Sequence, residues 1–177
     1  MNDELASQLE PLHQDAFGWA LHCCSGDASR AEDVLQNAYL KVIQGTARKD
    51  HDGTLKTWWF GVIRLTAREE FRRLRYRESL LGRMLQRFQP ALDNTDPAPS
   101  PALQIEIDEQ ATYLRSLLAQ LPEKQATVLH LVFYQDLTLA ETAGVMQVSV
   151  GTVRQHYDRA KTRLRSFLQS QPPSAHD

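Results

Sequence analysis

The sequence predicts an all-α protein made of two small helical domains joined by a flexible linker, the second domain containing a helix-turn-helix. Three observations carry this expectation. Apolar residues recur at helical spacing over most of the chain with no strand pattern of useful length, one proline-rich stretch interrupts that spacing, and two helix-start signals follow closely on each other after Leu137. The domains are expected at 1–89 and 103–177, with the linker at 90–102.

From Leu5 to Cys24, Leu9, Leu12, Ala16, Trp19, Ala20 and Cys23 fall near one helical face, and Asp3, Glu4, Glu10 and Asp15 charge its start. A single first helix is expected there, stopped at Gly26 and Asp27. Asp27 or Ser29 then caps a second helix, with Glu32 placed as box partner to Ser29. Its stripe is Ala31, Val34, Leu35, Ala38 and Val42, and off the stripe lie Asp33, Gln36, Asn37 and Lys41. The stretch from Gly45 to Gly53 has no apolar residue longer than Ala47 and reads as an exposed loop.

A third helix runs from about Leu55 to Tyr76 with Trp59, Phe60, Ile63, Ala67, Phe71 and Leu74 inward, continuing or restarting through Leu80, Leu81, Met84 and Phe88. Arg64, Arg68, Arg72, Arg73, Arg75, Arg77, Arg83 and Arg87 are eight cations against Glu69, Glu70 and Glu78, a local excess of five. With Trp58 and Trp59 at its start, the segment suits unpaired nucleic acid, one indole stacking outward and the other packing inward. A plain solvated face is the alternative.

Between Gln89 and Ala102 the residues Pro90, Asp93, Asn94, Asp96, Pro97, Pro99, Ser100 and Pro101 suit neither helix nor strand, so the segment reads as a linker. Fully extended it spans on the order of 45 Å at about 3.3 Å per residue. Beyond it a helix is expected around Ile105 to Ala119, a break at Leu121 and Pro122, and a helix from Glu123 to Tyr134 with Val128, Leu129 and Val132 inward. Thr138 with Glu141 forms a capping box, and Ser149 offers a second cap. Leu139, Ala140, Ala143 and Met146 make the first inward stripe of the helix pair, and Val153, Tyr157, Ala160, Leu164 and Leu168 the second. Opposite that second stripe, Arg154, Gln155, Asp158 and Arg159 share one side and face a groove, while Lys161, Arg163 and Arg165 come later and suit phosphate or solvent.

Length and composition bound the possibilities. The chain has 177 residues and a net charge of −2, so attraction to nucleic acid has to come from locally segregated charge. The acidic amino terminus has no basic segment followed by an apolar run, and no stretch approaches about 18 uninterrupted apolar residues. A cytoplasmic protein without membrane insertion is expected. The two cysteines, Cys23 and Cys24, are adjacent in a helical context, which argues against a disulfide framework.

These residues resemble the extracytoplasmic-function sigma factors of bacterial RNA polymerase, over nearly the whole chain. The run Leu121-Pro122-Glu123-Lys124-Gln125, then Thr138-Leu139-Ala140-Glu141-Thr142-Ala143, then Val148-Ser149-Val150-Gly151-Thr152-Val153-Arg154, is similar to the family's promoter-reading module. Ala31-Glu32-Asp33-Val34-Leu35-Gln36-Asn37-Ala38-Tyr39 resembles its polymerase-binding helix. Trp58-Trp59-Phe60 with the arginine-rich helix resembles its promoter-melting segment.

The resemblance implies that Asp33, Gln36, Asn37 and Lys41 dock on the clamp helices of the polymerase's largest subunit. It implies that Trp58, Trp59, Arg64, Arg68, Arg72 and Arg73 act where the −10 element melts, and that the loop from Gln44 to Lys56 and the start of the following helix hold a base flipped from it. Ser149, Thr152, Arg154, Gln155, Asp158, Arg159, Lys161 and Arg163 then serve the −35 element. The implied partners are core RNA polymerase, promoter DNA and an anti-sigma factor, with no cofactor. Departures from the family's usual residues are Thr66 for Asn, Glu70 for Asp, Gln147 for Gly at the turn, and Gln155, His156 and Asp158 in the reading helix. They bear on which sequence is read, and Gln147 is strained if it is left-handed.

Two other classes are weighed. A dimeric helix-turn-helix regulator acting without polymerase needs a self-complementary surface and a palindromic site. An enzyme finds no phosphate-binding glycine loop, nucleophile elbow or metal-spaced histidine pair here, so no catalytic residue and no metal ligand is expected. His13, His22, Cys23 and Cys24 read as core and surface residues of one amphipathic helix.

Overall fold

A computed structural model describes residues 3–49, 53–86 and 116–170, and among them every regular element is helical. The chain divides into two compact units, Met1–Ala102 and Leu103–Asp177. The expected linker, and the start of the helix expected at Ile105, lie outside the described residues.

In the first unit, α1 (Asp3–Leu9) and α2 (His13–Cys23) replace the single helix expected between Leu5 and Cys24. Glu10–Leu12 forms a 3-10 turn between them. Pro11 is the cause, since it lacks an N–H and its ring clashes with the carbonyl four residues back. The α2 helix ends in a left-handed turn through Ser25 (φ 56) and Gly26 (φ 87), with Gly26 N donating to Leu21 O at 2.9 Å. Asp27, not Ser29, caps α3 (Ala28–Ile43), accepting from Arg30 N at 3.1 Å, so Ser29 lies inside the helix and the Ser29–Glu32 box is not formed. All five stripe residues of α3 are buried.

The third element is one helix, α4 (Leu55–Gln86), which passes through Leu80, Leu81 and Met84 without a restart; Phe88 lies outside the described residues. Helices α2, α3 and α4 pack on one another around Trp19, Trp59, Phe60 and Ile63, all fully buried. Trp19 Nε1 donates to the carbonyl of Phe60 at 2.9 Å, and the two rings stack at 5.9 Å. Phe71 and Leu74 are only half-buried, because α4 outruns the shorter helices that cover its first half.

The described residues of the second unit start with helical residues 116–119, followed by α5 (Glu123–Leu129), α6 (Leu139–Met146) and α7 (Val150–Ser170). After Leu129 the backbone widens into a π turn, His130–Tyr134, which puts Leu131 fully inside and leaves Val132, expected inward, half-buried. In α6, Ala140 faces out while Thr142 and Val145 join Ala143 and Met146 inside, so the buried arc is wider than the expected stripe. In α7, Val153 and Ala160 are buried and Tyr157 and Leu164 half-buried. Leu168, expected inward, is 47% exposed, beyond the reach of the other described helices.

The Thr138 box is present: Glu141 N donates to Thr138 Oγ1 at 3.2 Å, and Glu141 Oε2 accepts from Thr138 N at 2.9 Å. Helix α6 closes with Val148 N donating to Ala143 O at 3.1 Å across a left-handed Gln147 (φ 56, ψ 47). That is the same closure that Gly45 (φ 69) provides after α3, where Thr46 N donates to Lys41 O at 2.9 Å. A side chain costs energy in this conformation and glycine does not. Gln147→Gly is therefore expected to stabilise the second unit by about 1 kcal/mol, after allowing for glycine's larger unfolded-state entropy; thermal unfolding of the variant beside the parent measures this.

Candidate nucleic-acid and partner interface

Helix α3 turns one face outward because its other face carries the buried stripe. Asp33 and Gln36 are exposed and Asn37 is half-exposed. Lys41 is not free on this face as expected. Its Nζ donates to Glu69 Oε2 at 2.6 Å and to Thr66 Oγ1 at 3.1 Å, tying α3 to α4. Thr66 is itself 1% exposed and donates to Val62 O, so the threonine standing in the third helix is a buried anchor for that lysine. The pair is partly solvated and contributes at most about 1 kcal/mol. Leu40 and Ile43 lie on the outward side of α3 at 48% and 47% exposure, and sequence reasoning missed them. The signal was available, since both are large apolar residues off the stripe.

The arginine-rich side of α4 is present. Arg64, Arg68 and Arg72 recur every fourth residue and so stack along one face. Arg64 is half-buried, Arg68 and Arg72 are exposed, and among the described residues no carboxylate pairs with the latter two. Arg73 is exposed but held by Glu70 at 3.1 Å.

Neither tryptophan faces outward. Trp58 is 8% exposed and Trp59 is fully buried, which overturns the expectation that one indole presents a stacking surface. They start a helix whose first turns are enclosed by α2, α3 and the preceding loop, so both rings turn inward. Trp58 Nε1 donates to Arg48 O at 2.9 Å, and Trp59 packs on Tyr39 with ring centroids 4.8 Å apart. Burial first, and the carboxylate of Glu10 second, push the Tyr39 phenol above its usual range, so it stays neutral beside His13, whose Nδ1 lies 3.2 Å from its oxygen.

In the second unit, α7 is seated by Leu121, Leu129 and Ala160 with Leu118, Ala126, Tyr157, Leu164 and Phe167 packed around them. Arg154, Gln155, Asp158 and Arg159 project from its outer side, all exposed, with Arg163 further along. Ser149 and Thr152 serve the helix start: Thr152 N donates to Ser149 Oγ at 3.1 Å, and the two hydroxyls lie 2.9 Å apart. Lys161 is partly spent, lying 3.2 Å from Asp158 Oδ1 and 4.2 Å from the centroid of Tyr157. Lys161 thereby offsets part of the Asp158 charge in a largely exposed pair. Phe133 and Tyr134 are exposed at 61% and 66%, a second apolar surface that the sequence did not flag because the π turn sets it.

No group of three or more metal-binding side chains occurs among the described residues. Cys23 is half-buried and Cys24 buried, both free thiols. Burial, with a smaller push from the Asp27 carboxylate opposed by Arg30, raises the Cys24 thiol to about 11. At pH 8 it is therefore almost wholly protonated and a poor nucleophile. Cys24 is expected to resist alkylation by iodoacetamide at pH 8 in the folded protein and to react fully once unfolded, which peptide mass spectrometry reads directly.

Residues 9–77 match the family model Sigma-70 region 2, and residues 117–166 match Sigma-70, region 4. Curated relatives include the ECF RNA polymerase sigma factor EcfG of Rhodopseudomonas palustris, 25% identical over 95% of this chain and 84% of that protein. The RNA polymerase sigma-H factor of Pseudomonas aeruginosa is 29% identical over 81% and 75%, and the ECF RNA polymerase sigma factor SigX of Bacillus subtilis 26% over 96% and 86%. Among solved structures, the sigma factor RpoE in complex with the anti-sigma factor NepR from Bartonella quintana has the same fold. Its TM-score is 0.62 at 19% identity, covering 94% of this chain and 97% of that one. CnrH in complex with the cytosolic domain of CnrY matches at 0.61 and 17%, covering 97% and 91%.

Proposed function

This chain belongs to the sigma-70 family, and from that premise we propose that it acts as a sigma factor of the extracytoplasmic-function type, binding core RNA polymerase and directing it to a set of promoters. One observation carries the reading: region 2 and region 4 occur in the same chain, each with an exposed face suited to its task. A free-standing regulator has no use for the first. The chain supplies binding energy and sequence discrimination, and the chemistry stays with the polymerase. It works in the cytoplasm, where polymerase and promoter meet; among the described residues no helix is long and apolar enough to cross a membrane. An anti-sigma factor as inhibitor fits the likeness to RpoE, which is bound by one.

Asp33, Gln36 and Asn37 form the polymerase-docking face, with Leu40 and Ile43 extending it by apolar surface. Arg64, Arg68, Arg72 and Arg73 meet the phosphates near the melted −10 element, and residues 44–49 and 53–54 of the preceding loop, with the start of α4, receive its flipped base. Arg154, Gln155 and Arg159 reach base edges of the −35 element in the major groove, with arginine suited to guanine and glutamine to adenine. Lys161 and Arg163 lie nearer the backbone.

Alanine at Asp33 and Gln36 together is expected to weaken capture of core polymerase while leaving the fold and the DNA affinity of the second unit intact; a pull-down with core polymerase decides it, and unchanged capture removes this helix from the interface. Arg154→Ala or Arg159→Ala is expected to cost about 1–3 kcal/mol on the preferred duplex and much less on scrambled DNA. Lys161→Ala should instead weaken both alike and flatten the salt dependence by about one unit of slope. Titrations on both duplexes at several salt concentrations separate base reading from phosphate contact.

A further inference from the structure

We propose that Trp58 is a positioning residue for reading single-stranded promoter DNA, holding loop residues 44–49 in place through its indole N–H. The inference rests on the proposed function above, in which this loop receives an unpaired base. The segment is short and polar, with nothing larger than Ala47 to bury, so apolar packing cannot fix its shape and hydrogen bonds have to.

The bonds are in place. At the front, the carbonyl of Lys41 accepts from Thr46 N at 2.9 Å, Ala47 N at 3.0 Å and Thr46 Oγ1 at 3.0 Å, around a left-handed Gly45. At the back, Thr54 caps α4, accepting from Thr57 N at 3.2 Å. Between these ends the carbonyl of Arg48 accepts the Trp58 indole N–H at 2.9 Å, and Arg48 Nε reaches Gly45 O at 3.4 Å. A buried, rigid ring thus grips the backbone at Arg48 while the side chains of Arg48 and Lys49 stay exposed, two cations presented to a strand. Trp59 is the internal contrast, being fully buried with a Nε1 that has no hydrogen-bond partner among the described residues.

Phenylalanine at each position removes the indole N–H and a similar volume, but only Trp58→Phe frees a loop carbonyl. Two readouts apply: amide hydrogen exchange at residues 46–49 in the full chain, and the sequence preference of holoenzyme, reconstituted with core polymerase, for a randomised single-stranded DNA pool. Trp58→Phe is expected to speed exchange at residues 46–49 about five- to tenfold, and to flatten the preference by a similar factor. Trp59→Phe is expected to leave exchange in the loop as in the parent. Unchanged exchange in Trp58→Phe, or equal acceleration by both variants, overturns the hydrogen-bond role whatever the DNA result. Faster exchange with the preference retained overturns the link to strand reading. A parent holoenzyme with no preference overturns the proposed function itself, and the exchange readout still decides whether the indole holds the loop.

Discussion

The indole N–H of Trp19 reaching the carbonyl of Phe60, inside a cluster of fully buried Trp19, Trp59, Phe60 and Ile63, sets the geometry on which the first domain depends. In a low-dielectric interior such a bond is strong. It registers α2 against α4 at one height, and stacked rings oppose rotation there. Helix α3 is then laid against both with its stripe inward, and its remaining residues have only solvent to face. The polar face of α3 and the arginine stripe of α4 are the outer sides of a core whose rotation is settled by aromatic packing. Lys41 shows how far this reaches. It begins on the outward side, but its long chain finds Glu69 and the buried Thr66 on α4, so it braces the two helices.

The second domain depends instead on how its helices end. A helix-turn-helix works only if the chain reverses within a few residues, and here a capping box opens α6, a left-handed residue closes it, and a serine cap opens α7. Each device satisfies backbone groups that the helix termini would otherwise leave unpaired. Ser149 and Thr152 are engaged with the helix start and Lys161 with Asp158 and Tyr157, which leaves Arg154, Gln155 and Arg159 as exposed polar side chains on the outer side of α7.

The stripes of α3 and the cap of α6 were legible because they follow from local periods and short-range hydrogen bonding. The five apolar positions of α3 are all inside, and Thr138 and Glu141 meet three residues apart as their chemistry requires. The exposed basic side of α4 and the outward group on α7 were legible for the same reason. The break at Pro11 was equally local and was passed over in favour of an apolar stripe that ran through it.

What the sequence by itself determined was the helical class, the interruption that separates two units, the paired helix starts, and the polar faces opposite each apolar stripe. All of these depend on residues within about two turns of one another, where propensity, capping and periodicity act. What only the tertiary structure decided was the fate of side chains whose partners lie far along the chain. Trp58 and Trp59 are adjacent, and nothing local forces both inward; α2, α3 and the loop at Arg48 enclose them together. Lys41 became a brace because Glu69, 28 positions away, was brought beside it. The depth of Leu131 over Val132 came from one wider backbone turn. A side chain's surroundings are set by which helices arrive around it, and that arrangement minimises exposed apolar area over the whole domain at once.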